Sequence, residues 1–276
     1  MMLPNEPRTA FAESFGAPRA LIGMVHVGAL PGSPAAREPL STLVEQAVAE
    51  ARAYRDAGFT AIAIENMHDR PYLKGGVGPE VTAAMAVIGR EIRRETNLVL
   101  GVQVLAGANR ESLAVAHACG AAFARVEGFV FAHVADEGLI EASAGELLRY
   151  RRAIGADDVL VYADIKKKHA AHAITADVSL AETARAAEFF LADGVIVTGS
   201  ATGEPAKRGD VSEVVNATKL PVLVGSGVTP SNLDHYAHAH GFIVGSALKQ
   251  GGVWSNPLDP DALRAMMAAF SALPRP

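Results

Sequence analysis

Apolar and polar positions fall into alternating blocks along this chain. Eight short runs are apolar almost throughout, at 21–27, 60–65, 98–105, 122–127, 159–165, 194–198, 221–225 and 242–245. Such runs lack the in-and-out alternation of a half-exposed strand. They are what a parallel strand shows when both of its faces are buried. Between them the apolar residues recur with helical spacing, at 41–56, 79–95, 110–118, 144–154, 179–191, 211–217 and 231–238, and 259–273 closes the set. Ser41 ahead of Glu45, Ser179 ahead of Glu182 and Asp210 ahead of Glu213 mark helix starts. Strict alternation of strand and helix predicts an α/β fold with a parallel sheet.

Loop length separates a closed barrel from an open doubly wound sheet. Helix-to-strand connections are short, as at Ala57-Gly58-Phe59, Thr96-Asn97 and Asp193-Gly194. Strand-to-helix connections are long, notably 28–39, 66–78, 128–143, 166–178 and 199–210. All of these emerge on one face, where barrel enzymes carry their chemistry. The expectation is a single (β/α)8 TIM barrel over 21–276. Residues 1–20 form an extension that supplies a short helix closing the other end.

Composition narrows the function classes. The 276 residues carry 25 basic and 30 acidic side chains, a net charge of −5. With no basic block, nucleic acid is not expected as a partner. No apolar run approaches the roughly 18 residues needed to span a bilayer, and 1–20 lacks a signal-peptide core. A soluble cytoplasmic protein is expected, with Ala-rich outer helices that allow homo-oligomers. The single Cys119 sits in an alanine-rich helical pattern and is expected in the core.

Two strand ends carry the clearest chemistry. Strand seven runs into Gly225-Ser226-Gly227, and strand eight into Gly245-Ser246. Glycines let backbone N–H groups approach an anion, and in barrels this side commonly holds phosphate. Gly199 and Ser200, in the glycine-rich loop after strand six, are expected to add to that site or to act as a lid. Polar groups end the other strands: His26, Glu65-Asn66, Gln103, Arg125 with Glu127, Asp164 with Lys166, and Thr198. Period two puts Arg125 and Glu127 on one face, and likewise Tyr162, Asp164 and Lys166. If that face is inward, these groups meet at the barrel mouth. They would then act on a substrate or satisfy one another as interior ion pairs.

The expected roles follow from chemistry. Asp164 and Glu127 are acid/base candidates, with His26, His169 and Glu65 beside them. Gln103, Arg125 and Asn66 are substrate-binding candidates. Glu65, Glu127 and Asp164 would suit a divalent cation, Mg, Mn or Zn, if they converge. In the loop after strand two, Asp69 and Arg70 either pair with each other or close over a ligand.

Several runs are similar to the BtpA/SgcQ family. They are Gly-Met-Val-His-Val-Gly-Ala-Leu-Pro-Gly-Ser-Pro at 23–34, Glu65-Asn66 with Asp69 and Pro71, Gly-Val-Gln-Val-Leu at 101–105, and Ala163-Asp164 with Lys168-His169-Ala170. Val-Thr-Gly-Ser-Ala-Thr-Gly at 197–203 and Val-Gly-Ser-Gly-Val at 224–228 complete the match. The resemblance implies a TIM-like barrel and points to Lys168, beside His169, as the oxyanion-stabilising lysine, ahead of Lys166 and Lys167. One branch of that family is associated with photosystem I biogenesis, and another with sugar metabolism.

The reading is an enzyme acting on a phosphorylated sugar or nucleoside-derived phosphate, of lyase, isomerase or epimerase type. The alternatives are a phosphate-ester hydrolase and a non-enzymatic assembly factor that uses the barrel as a platform.

Overall fold

The computed structural model describes residues 6–199 and 201–274. Eight parallel strands close into one barrel: β1 (Ala20–His26), β2 (Ala61–Glu65), β3 (Val99–Gln103), β4 (Phe123–Val126), β5 (Leu160–Ile165), β6 (Gly194–Thr198), β7 (Val222–Gly225) and β8 (Gly241–Val244). β8 pairs back onto β1, with Ala20 opposite Gly241. Closure leaves no open sheet edge.

Side chains with even spacing along each strand split into two cores. One set faces outward and packs under the helices, as with Val25, Ile64, Val102 and Val161. The other fills the barrel: Ile22, Met24, Ala63, Phe123, Tyr162, Ile196, Leu223 and Ile243. The inward set continues upward into His26, Glu65, Gln103, Arg125 and Asp164, so the apolar layers support a polar rim. Below, helix α1 (Pro7–Phe15) inserts Phe11 and Phe15 into the inner core, and the Phe15 ring lies 5.6 Å from that of Phe123. Burying each ring contributes roughly 2–3 kcal/mol.

The outer helices are α2 (Leu40–Asp56), α3 (Pro79–Thr96), α4 (Asn109–Cys119), α5 (Ala144–Ala153), α6 (Leu180–Phe189), α7 (Arg208–Ala217) and α8 (Pro260–Ser271). Ser179 and Glu182 form a reciprocal capping box on α6. The caps expected of Ser41 and Asp210 do not form. α2 starts one residue earlier, behind Pro39, and α7 starts behind Lys207, so both side chains lie inside the first turn. Cys119 is buried, and burial pushes its thiol up to about 11.

Two connections differ from expectation. The segment 231–238 is a single 3-10 turn, Leu233–Tyr236, instead of a helix. Asn232 is the reason: its side chain accepts from the Thr229 N–H and donates to the Gly227 carbonyl, holding the chain in a turn. The long loop after β4 is also more ordered than a plain loop. His133–Ala135 and Gly138–Ile140 form a hairpin, and Ala170–Ala171 from the loop after β5 adds a third antiparallel strand. This small sheet stands above the barrel on the β4–β5 side.

Candidate active site

Strand register places the polar rim. His26 lies level with Glu65, and Glu65 level with Gln103, so three strands deliver their last inward residue to one row. Beside that row Arg125 forms a two-pronged pair with Asp164, Nε to Oδ2 at 2.9 Å and the second guanidinium nitrogen to Oδ1 at 3.1 Å. Both side chains are buried, at 8 and 1% exposure. Burial works against the Arg125 charge, but Asp164, Glu65 and Glu127 outweigh it and hold the guanidinium above its ordinary value. Burial pushes the Asp164 carboxyl up, against the pull of Arg125.

Glu127 is held from three sides. Lys167 Nζ donates to its Oε2 at 2.9 Å and Gln103 Nε2 to its Oε1 at 3.2 Å. The Asn109 side chain brackets its backbone, donating to the carbonyl and accepting from the N–H. Asp164 and Glu127, expected as acid/base groups, therefore have all four carboxylate oxygens engaged by neighbours. The Glu65 side chain makes no hydrogen bond to any described residue and lines the cavity.

Lys168 is the cation left beside Glu65. Its Nζ reaches Thr202 Oγ1 at 3.3 Å. Burial, then Arg125, holds its ammonium below the ordinary lysine value, with Glu65, Asp164 and Glu127 pulling the other way. His26 is also buried, which lowers its imidazole to about 4. Its Nδ1 lies 2.9 Å from the Trp254 carbonyl, which can only accept. Nδ1 therefore carries the proton, and Nε2 is a bare acceptor beside Gly245.

Lys168, Glu65, Arg125 and His26 line one cavity of about 230 Å³, with Gly227, Gly245 and Ser246 on its far wall. The backbone N–H groups of Gly227, Val228, Ser246 and Ala247 line this wall without a partner among the described residues. Gly227 adopts a φ of +63°, and a Cβ there would lie 2.2 Å from the Glu204 backbone. Its glycine thus serves both the turn and the close approach of the loop after β6. The Ser226 hydroxyl donates to the Glu204 carbonyl and accepts from the Gly199 N–H, so it ties down that same loop. A second cavity of about 200 Å³ shares Glu65, Arg125, Lys168 and Thr202 with the first and extends beneath the hairpin to Tyr72, Gln103, Glu127 and Glu137.

Other expected residues lie elsewhere. Asn66 is 1% exposed and lines neither cavity. Its amide donates to Asp69 at 3.0 Å and accepts from the Leu105 N–H at 2.7 Å, joining two loops. Asp69 also accepts from the Leu30 N–H. Asp69 and Arg70 therefore do not pair, and Arg70 instead lies over the Trp254 ring at 5.2 Å. His169 does line the second cavity, exposed and bonded to Thr202. Gly225 and Gly199 line neither cavity, and Ser200 lies outside the described residues. Among the described residues no group of three or more His, Cys, Asp or Glu is placed to hold a metal ion. Glu65, Glu127 and Asp164 do not converge as ligands, because the last two face Lys167 and Arg125. Sequence reasoning missed Trp254, which sits far from any strand end, and ranked Lys167 behind Lys168, although Lys167 is the lysine that pairs with Glu127.

Fold and rim together define a closed parallel (β/α)8 barrel whose mouth combines an unpaired backbone wall with a ring of buried charges. Residues 17–272 match the BtpA family, and the chain belongs to it. An uncharacterized protein of Caenorhabditis elegans, named as mitochondrial, is 43% identical and covers 97% of this chain and 99% of its own. The photosystem I biogenesis protein BtpA of Synechocystis is 36% identical over 94% of this chain and 90% of its own. Among solved structures, thiamine phosphate pyrophosphorylase from Pyrococcus furiosus superposes with a TM-score of 0.58 at 15% identity, covering 95% of this chain and 98% of its own. Orotidine 5'-phosphate decarboxylase from Pyrococcus horikoshii gives 0.56 at 14%, covering 91 and 99%. At such identities the likeness is one of fold. No helix among the described residues is long and apolar enough to cross a membrane.

Proposed function

We propose that this chain is an enzyme acting on a small phosphorylated molecule, a sugar phosphate or nucleoside-derived phosphate, by acid/base chemistry of the lyase, isomerase or epimerase type. One observation carries the reading. The unpaired N–H groups after β7 and β8 face the same cavity as Glu65, Lys168 and His26. Backbone donors suit a phosphate, which fixes the substrate's position. The Glu65 carboxylate then takes a proton from a carbon next to a carbonyl. The electron pair moves to the carbonyl oxygen, where the Lys168 ammonium and the Arg125 charge stabilise it. When the hydroxyl proton on the deprotonated carbon passes to the former carbonyl oxygen and Glu65 returns its proton to the neighbouring carbon, an isomer results; protonation of the original carbon from the other face by water, with Glu65 later giving up its proton to solvent, gives an epimer. His26 Nε2 accepts a hydrogen bond from a substrate hydroxyl. Asp164 holds Arg125 in place, and Lys167 holds Glu127. The named solved neighbours handle phosphorylated small molecules, which supports the reading by analogy of fold.

The test is solvent exchange. The protein is incubated in D2O with a panel of aldose and ketose phosphates, with and without Mg2+, Mn2+ or Zn2+. Incorporation of deuterium at the carbon next to the carbonyl, lost in Glu65→Gln, is expected. No exchange with any member, together with no thermal stabilisation by any phosphate, would sink the proposal.

A second reading, a binding platform for assembly, draws on the Synechocystis relative's name and on one surface. Phe189, Phe190 and Leu191, at the end of α6, are 81, 48 and 69% exposed. It expects the triple Ser variant to lose function while substrate turnover is untouched.

A further inference from the structure

The two joined cavities differ in what they offer a ligand. The one against β7 and β8 presents donors: backbone N–H groups, Lys168 and Arg125. The one beneath the hairpin shares those two cations and adds Lys167, which is already paired with Glu127, but its end under the hairpin presents acceptors. Gln103 is 2% exposed, and its amide orientation is fixed because Glu127 Oε1 can only accept, which turns Nε2 toward it. Gln103 Oε1 is left buried with no partner, and so is Glu137 Oε2. Both residues line this second cavity, with Glu65 between it and the first. A buried acceptor without a donor is costly, and a site built around two of them selects for groups that supply hydrogens. Glu137 also pulls on Lys167 and Tyr72, which places its charge over the same space.

We propose that this second cavity takes the donor-bearing end of the substrate, hydroxyl or ammonium hydrogens held by Gln103 Oε1 and Glu137, and rejects a carboxylate. The substrate would then be a phosphorylated sugar or amino sugar, and a phosphorylated acid would be excluded. Gln103 and Glu137 are its specificity-determining residues. The inference rests on the phosphate reading above, since the phosphate sets which end of the molecule arrives here.

Calorimetric titration with inorganic phosphate and a matched five-carbon series tests it: pentyl phosphate, 5-aminopentyl phosphate, ribitol 5-phosphate and 5-phosphoribonate. Ribitol phosphate or aminopentyl phosphate is expected to bind about tenfold or more tightly than pentyl phosphate, and phosphoribonate more weakly than ribitol phosphate. The larger gain tells hydroxyl from ammonium. Gln103→Met should erase the gain and leave inorganic phosphate binding as in the wild type, which also shows that the variant is folded. No gain over pentyl phosphate by either ribitol phosphate or aminopentyl phosphate, preference for phosphoribonate, or an unchanged gain in Gln103→Met overturns the inference while the phosphate reading stands. Failure of every ligand, inorganic phosphate included, removes both.

Discussion

The two sides of the barrel mouth are built from different material. On the β7–β8 side the wall is main chain, exposed because glycines allow it and held by short polar ties such as Ser226 to Glu204. On the β2–β5 side the wall is side chain: Glu65, Gln103, Arg125, Glu127 and Asp164, each fixed by a neighbour's charge or amide except Glu65. A backbone wall recognises a chemical group and tolerates little change of shape. A side-chain wall carries reactivity, and its members depend on one another. On the proposed function this is a division of labour: one half would anchor the phosphate and the other half would transform the substrate.

The largest expected effect breaks the reacting half alone. Lys168→Met should slow solvent exchange by about 10²–10⁴-fold, while phosphate affinity falls less than about tenfold. Equal losses in both would mean that the two halves are not separable. Next comes the scaffold of that half. Asp164→Ala strands Arg125 in a buried site and should cost about 3–5 kcal/mol in denaturant unfolding. Adding Arg125→Met should recover most of that stability but no activity, and an additive double variant would contradict the coupling. On the anchoring half, Gly227→Ala forces a left-handed φ and a 2.2 Å contact with Glu204, and should cost about 2 kcal/mol. Phosphate binding should weaken with it, because the loop after β6 must shift.

The smallest effect is one of pH. His26 has a folded value near 4 against an ordinary 6.5, so between these values the unfolded chain binds the extra proton. Its neutral burial is fully tolerated above pH 6.5, and stability is lost as pH falls toward 4. Between pH 7.5 and 6 the loss from this group is about 1 kcal/mol. His133 and His240, also lowered to about 4, act in the same direction, so His26→Asn should flatten only part of the slope. An unchanged slope would place His26 in a solvated position and loosen its tie to Trp254.

The barrel was legible because parallel strands buried on both faces leave continuous apolar runs, and loop lengths told one face from the other. The hairpin over the mouth was not read, although Gly138 and the short runs around it carried a turn signal. Its strands are three residues long, too short for periodicity to register. The candidate site divides along the same line as the mouth. Gly-Ser at two consecutive strand ends is a local pattern, so the backbone wall could be read directly. Which carboxylate stays uncommitted depends on partners 39 and 40 positions away, Arg125 for Asp164 and Lys167 for Glu127. No local pattern carries that, and Asn66 looked like a ligand contact for the same reason. Trp254 is an isolated aromatic in a polar loop, and only the fold brings its carbonyl to His26.

That residue has a spectroscopic consequence. The chain contains a single tryptophan, and it sits with the His68 ring at 4.7 Å, the His26 ring at 5.9 Å and the Arg70 guanidinium over its face. Every photon of indole emission from this protein therefore originates at the rim of the mouth. With excitation at wavelengths too long for the five tyrosines, protonation of His26 or a ligand that moves the rim is expected to change its intensity or wavelength, with no label.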